Sequence, residues 1–225
     1  MSKQYVSNTR NTQLTTKPLT VGIFVFDDVE VLDFAGPFEV FTVADRLQPI
    51  APFKPILVSE NWGVVKARGD FIVEPHFYFA NCPFLDMVLI PGGGGKRSDG
   101  SVFGTRMEQH NLALREWLLR VALPAQRVMS VCSGALIMAQ AGLFDGKSAT
   151  THRGAYGELR DIAQSQSRHF SVIENVKHVD TGKVISSGGI SAGIDMALTV
   201  VGQTLNMRVA QDTADYMEYD WKAPS

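Results

Sequence analysis

The stretch Arg127-Val128-Met129-Ser130-Val131-Cys132-Ser133-Gly134-Ala135-Leu136-Ile137-Met138 sets a short apolar, strand-like run directly against a helix-like segment, with one cysteine at the junction. A strand that turns abruptly into a helix, with a small residue and a glycine just past the thiol, has the layout of a nucleophile elbow. That layout exposes the side chain at the carboxyl edge of a sheet. It also puts the sulfur at a helix N-terminus, whose partial positive charge favours thiolate. Cys132 is therefore the candidate nucleophile. The alternative is a small buried core residue, since free cysteine is among the most buried types.

Working outward from the elbow, β-branched and aromatic runs alternate with helix-period segments from Leu19 onward, the pattern of a parallel sheet covered on both faces. The spacing predicts a first strand over Thr20 to Phe26 and then a helix opened by Pro37 and running to about Leu47. Phe53 to Ser59 reads as a second strand, and Gly63 to Phe79 as an extended or hairpin excursion turning at Gly69-Asp70. The buried strand Met87 to Ile90 stops at Pro91-Gly92-Gly93-Gly94-Gly95, a loop whose missing side chains let backbone approach a ligand closely. One helix is expected from about Gly104 to Val121. Beyond the elbow helix come a short strand at Ser148 to Thr150, a helix over Ala155 to Ala163, strands over Val172 to Val179 and Lys183 to Ser187, and two helices, Ser191 to Leu205 and Met207 to Glu218. With no repeat and no linker, residues 19–225 are expected to form a single domain and residues 1–18 a disordered tail.

Composition narrows the function. The chain has 225 residues, 45% of them hydrophobic, and a net charge of −2 without a basic cluster. Affinity for a phosphate backbone needs several Lys and Arg on one face, so nucleic acid is not an expected partner. No apolar stretch at the N-terminus suits a signal peptide or a span, so no membrane is expected either. With only two cysteines, a cytoplasmic location is expected and a Cys82–Cys132 disulfide is not. Cys82 reads as a loop thiol. Metal-ligand spacings are absent and the five histidines are scattered, so no metal site is expected.

Ligand groups collect at the carboxyl ends of strands in such a sheet, which brings together Asp33, the Gly92 to Gly95 loop, Cys132-Ser133 and His152. A thiolate attacking a polarised carbon needs donors for the charge that develops, and Gly93, Gly94 and the Ser133 amide are candidates to supply them. The glycine run lacks the spacing of a nucleotide-binding loop. Asp33 lies between Leu32 and Phe34, a setting that raises a carboxyl pKa, and a neighbouring thiolate would raise it further. As a protonated acid it can bond the sulfur and deliver a proton; otherwise it bonds amides at a helix start. His152 can orient water or act as a base, or be satisfied by its own loop. Glu30 and Glu39 read as ordinary surface charges.

The set Val31-Leu32-Asp33-Phe34-Ala35-Gly36-Pro37, Ile90-Pro91-Gly92-Gly93, Val131-Cys132-Ser133-Gly134, Ala149-Thr150-Thr151-His152 and Ser187-Gly188-Gly189-Ile190-Ser191-Ala192-Gly193-Ile194-Asp195 resembles the ThiJ/PfpI superfamily in order and spacing from about Leu19 to Tyr219. The resemblance implies a flavodoxin-like, class I glutamine amidotransferase-like α/β sandwich with a mostly parallel sheet and helices on both faces. It also implies a homodimer, no cofactor, and the elbow cysteine as reactive centre. Leu32-Asp33-Phe34-Ala35-Gly36-Pro37 looks most like the isonitrile hydratase branch, in which an Asp accompanies the cysteine and Thr follows it. Ser133 keeps that hydroxyl without the methyl. The protease branch carries His after the cysteine and the branch of the parkinsonism-associated protein a Glu near it; Ser133 and Asp33 depart from those patterns, while His152 matches a His of the latter.

The resemblance therefore implies a small-molecule cysteine hydratase or hydrolase, with Cys132, Asp33 and His152 as catalytic candidates and Gly93, Gly94 and Ser133 about the substrate. Its sharpest version takes an isonitrile to an N-substituted formamide. The same domain resembles the sensor half of AraC-type regulators, which keeps a ligand-binding reading open. With the chain closing at Ser225, a stand-alone regulator is not the expectation. Redox sensing by Cys132 is the third reading.

Overall fold

A computed structural model describes residues 17–49, 51–165 and 168–223. Most of the expected tail, residues 1–16, lies outside the described residues. In chain order the elements are β1 (Leu19–Phe24), α1 (Val31–Arg46), β2 (Phe53–Ser59), β3 (Val65–Ala67), β4 (Phe71–Val73), β5 (Phe77–Tyr78) and β6 (Met87–Ile90). Then follow β7 (Gly94–Lys96), β8 (Val102–Gly104), α2 (Thr105–Glu108), α3 (Leu112–Ala122), β9 (Arg127–Ser130) and α4 (Gly134–Gln140). The remainder is β10 (Ser148–Ala149), α5 (Tyr156–Ser165), β11 (Ser171–Val172), β12 (His178–Asp180), β13 (Val184–Ser187), α6 (Ala192–Thr204) and α7 (Met207–Tyr216).

Seven strands form the main sheet in the order β12-β13-β9-β6-β1-β2-β5. Every pairing in it is parallel except β12 with β13. All four residues of β6 and of β13 are buried, as a parallel sheet with both faces covered requires. Helices α1, α6 and α7 pack together as one layer, and α2, α4 and α5 as another. The result is an α/β fold with a mostly parallel sheet flanked by helices.

Several sequence expectations needed correction. Pro37 does not open α1; it sits inside the helix, two turns after the start. Its ring removes only the hydrogen bond to the Asp33 carbonyl. Packing holds the helix through that gap: Gly36 lies so close to α6 that a Cβ there would come 2.9 Å from the Ile194 side chain. The single helix foreseen over Gly104 to Val121 is broken, because Asn111 begins a new one and its side chain accepts from the Leu114 amide at 3.1 Å, an N-cap bond. The run Val172 to Val179 is likewise divided, with β11 pairing β10 and β12 pairing β13. The hairpin foreseen at Gly69-Asp70 is β3–β4.

Candidate functional site

The sheet order places β6 between β1 and β9, so the loops leaving these three strands meet at one edge. After β1 the chain is stitched to the glycine loop: Val29 bridges Gly93 and the Glu30 amide donates to the Gly92 carbonyl at 2.9 Å. That stitching puts Asp33, in the first turn of α1, against Gly92. The Gly92 amide donates to Asp33 Oδ2 at 2.9 Å. A Cβ on Gly92 would lie 2.6 Å from the Ser133 nitrogen and 2.9 Å from Asp33 Oδ2, so only glycine lets the loop pass between acid and elbow.

The elbow is strained as the sequence pattern implies. Cys132 has φ +56°, a conformation that costs a non-glycine residue ~1–3 kcal/mol. Its own backbone bonds hold it there: the Cys132 amide donates to the Gly188 carbonyl at 2.9 Å, and Thr151 Oγ1 donates to the Cys132 carbonyl at 2.7 Å. Gly134 is obligatory, because a Cβ would collide with the Ile90 carbonyl. The thiol is 9% exposed while the Asp33 side chain is fully buried. The two groups are within hydrogen-bonding reach of each other. Asp33 Oδ1 has no hydrogen-bond partner among the described residues.

Burial dominates both ionisations. It pushes Asp33 up to about 7 against the opposing pull of the Gly92 amide. It pushes the Cys132 thiol up to about 12, with the Asp33 charge adding to the rise and the Ser133 and Ile190 amides opposing it. The expected thiolate-favouring effect of the helix end is therefore outweighed in the resting site. Desolvation and a neighbouring carboxylate exceed what two amides recover. The pair carries at most one negative charge near neutrality, and Asp33 is the group that titrates there.

Ser133 acts through more than its amide. Thr105 Oγ1 donates to the Gly93 carbonyl at 2.8 Å, and lies 3.1 Å from Ser133 Oγ, which accepts from the Gly93 amide at 3.2 Å. Either hydroxyl can donate in the Thr105–Ser133 bond, and Ser133 Oγ also lies 3.5 Å from the Gly93 carbonyl. The amides of Gly92 and Gly93 thus serve Asp33 and Ser133, so this loop braces the acid and the elbow. Gly94 pairs Gly104 across β7–β8, and its carbonyl accepts from Arg68 Nη2 at 2.8 Å. Sequence reasoning missed Thr105 and the Ile190 amide. Nothing local marks either one; both depend on segments that only the fold brings to the elbow.

His152 Nδ1 accepts from the Gly154 amide at 3.1 Å, the local capping role that one reading gave it, and its ring also lines the cavity above Cys132. That cavity holds about 300 Å³. Glycines 93–95 form its floor with Cys132 and Ser133, and Glu30, Arg68, Arg106, His152, Ala155 and Ile190 form its walls. Cys82 and Cys132 are both free. No described helix is long and apolar enough to cross a membrane.

A parallel α/β sheet with a strained cysteine elbow and a buried acid at its carboxyl edge defines the class of protein. The chain belongs to the DJ-1/PfpI family, whose model matches residues 19–203. It is 31% identical over 202 residues to an isonitrile hydratase of Pseudomonas putida, covering 89% of this chain and 78% of that protein. A transcriptional regulator of the helix-turn-helix type, GbdR of Pseudomonas aeruginosa, is 23% identical over 90% of this chain, which spans 51% of the regulator. A ThiJ/PfpI family protein from Pseudomonas syringae superposes with a TM-score of 0.77 at 22% identity, over 100% of this chain and 84% of that one. Drosophila melanogaster DJ-1beta gives 0.73 at 18% identity, over 91% and 100%.

Proposed function

We propose that the chain is a cysteine-dependent hydratase of a small molecule that turns an isonitrile into an N-substituted formamide without a cofactor. The observation that carries this reading is the buried Asp33 carboxyl in reach of the Cys132 sulfur, with one oxygen left unpartnered. Asp33 as carboxylate takes the thiol proton while the sulfur attacks the terminal isonitrile carbon, and the same proton is then delivered to that carbon. The S–H bond has been added across one carbon, giving a thioimidate, R–N=CH–S–Cys132. Water adds to that carbon and a proton goes to nitrogen. Collapse forms the formyl C=O, breaks the C–S bond and returns the thiol, its proton passing through Asp33. The Ser133 and Ile190 amides hold the charge on sulfur as it is formed and expelled. An acid with a pKa near the working pH both takes and gives this proton efficiently.

Support comes from the likeness to the Pseudomonas putida hydratase and from the Asp-x-x-Gly-Pro segment at Asp33 to Pro37. The test is incubation with a small alkyl isonitrile and detection of formamide by mass spectrometry, with Cys132→Ala as control. Formamide from wild type alone is the expected result; none from folded wild type with a titratable thiol would sink the reading. In that event the regulator likeness favours a non-enzymatic ligand binder built on the same cavity. We further take the protein to be a cytoplasmic homodimer, as the family resemblance and the two free thiols support, with light scattering on eluted protein as the check.

A further inference from the structure

The cavity over Cys132 has a mixed lining, polar and apolar in nearly equal parts. Among the described residues, Ala155 and Ile190 are its purely apolar side chains, glycine backbone forms much of the rest, and two arginines, Arg68 and Arg106, line it. At about 300 Å³ it lies at the small end of the range for ligand sites. A bulky hydrocarbon filling it would leave the two arginines under-solvated.

Arg106 is held in a particular way. Its Nε and Nη2 donate to the two carboxylate oxygens of Glu158 at 2.8 and 2.6 Å, a bidentate pair that fixes the plane of the guanidinium. The Arg106 side chain is 14% exposed. This brace occupies one edge of the guanidinium and leaves Nη1, with two N–H donors, without an acceptor among the described residues. Arg68 is also braced, by Glu30 at 3.2 Å and by the Gly94 carbonyl, and its Nη1 likewise has no acceptor among the described residues. Two pre-oriented guanidinium groups with spare donors beside a thiol form a receptor for a planar anion, at little entropic cost on binding.

We propose that this site takes substrates bearing a carboxylate, with Arg106 as its principal anchor and Arg68 as its second, and that the isonitrile is carried on a short acid. This inference rests on the hydratase reading for the reaction and on the cavity alone for the anion. The carboxylate binds at the arginine wall, and the neutral isonitrile carbon is presented to Cys132 and Asp33.

The experiment compares isocyanoacetate with its methyl ester, a pair differing chiefly in charge, by following N-formylglycine and its ester. In parallel, wild type is alkylated with iodoacetate and with iodoacetamide, and labelling at Cys132 is read by peptide mapping. An acid-to-ester ratio in kcat/KM of ~10 or more is expected in wild type, falling towards one in Arg106→Gln through a rise in KM. Arg106→Lys, which keeps the charge without the fork, serves if the glutamine variant does not fold, and should recover only part of the ratio. Equal or better turnover of the ester in wild type would overturn the proposal. If neither isonitrile reacts but Arg106→Gln lowers iodoacetate labelling of Cys132 relative to iodoacetamide, the hydratase reading fails and the anion site stands. If the labelling ratio does not move either, both fail.

Discussion

The two cysteines lie at opposite edges of the same sheet and meet opposite treatment. Cys82 precedes β6, half-buried beside Phe79 and Trp117, whose rings stack at 4.5 Å. Its sulfur lies 3.5 Å from the Pro83 carbonyl. Cys132 leaves β9 with φ +56° and faces a carboxyl and two amides. Burial pushes both thiols up, so a lowered resting pKa is not what marks Cys132. The difference lies in the neighbours: a buried carboxyl within reach of one sulfur and two amides beside it, which in the proposed mechanism accept its proton and hold its charge.

The largest effect expected from this contrast is at the sulfur itself. Cys132→Ala should lower isonitrile hydration at least ~10⁴-fold, to background, since nucleophile and base act as a unit. Cys82→Ala should keep kcat/KM within about twofold and change the melting temperature only by the loss of a small buried group. Loss of turnover in Cys82→Ala would erase the distinction between the two edges.

Asp33→Asn comes next, with effects of opposite sign on activity and stability. Removing the proton carrier should cost ~10²–10⁴-fold in kcat. Because the folded pKa of Asp33 is about 7 against an ordinary 3.8, the folded state holds a proton that the unfolded chain has already released between those values. The stability this group contributes is fully present below about pH 4 and is lost as pH rises through about 7. Above pH 7 the variant, which cannot ionise, should be more stable than wild type by of the order of 3 kcal/mol. Thermal melts at pH 5 and pH 8 check the sign: the gain must grow with pH.

The same titration should be visible at sulfur. Alkylation of Cys132 by iodoacetamide should rise about tenfold between pH 6 and pH 8 as Asp33 becomes a base for the thiol. Cys82, with no carboxyl against it among the described residues and its thiol pushed up by burial, should instead show the steeper rise of a free thiol, about 100-fold over the same range. Site-resolved labelling rates would sharpen the comparison. An identical pH profile at both cysteines would break it.

Much of the carboxyl edge was legible in the sequence because its requirements are local. An elbow needs strand, cysteine, small residue and helix in succession, and Gly134 and Gly92 stand where a Cβ would collide. Asp33 was readable from its apolar flanks. What escaped was non-local or depended on competing energies. Thr105 reaches Ser133 only because β7–β8 folds back over the glycine loop. The Ile190 amide arrives from beyond β13. The state of the thiol could not be read from helix position, since the cost of its burial depends on every segment that covers it. Pro37 misled for a related reason: the local rule for proline was overridden by packing of α1 on α6.

The smallest effect concerns the clamp behind the elbow. Cys82 is held by ring packing, whereas Ser133 and Gly93 are held by the fully buried Thr105 hydroxyl. Thr105→Val keeps the shape and removes that oxygen, leaving the Gly93 carbonyl and the Ser133 hydroxyl without this partner at a cost of ~1–3 kcal/mol. Because Thr105 acts through Ser133 and Gly93, its loss should lower kcat several-fold with KM little changed and leave the pH profile of Cys132 alkylation displaced. Thr105→Ser restores the oxygen and should recover most of kcat. Equal loss in the valine and serine variants would assign Thr105 to packing alone and make the two edges alike in how they are built.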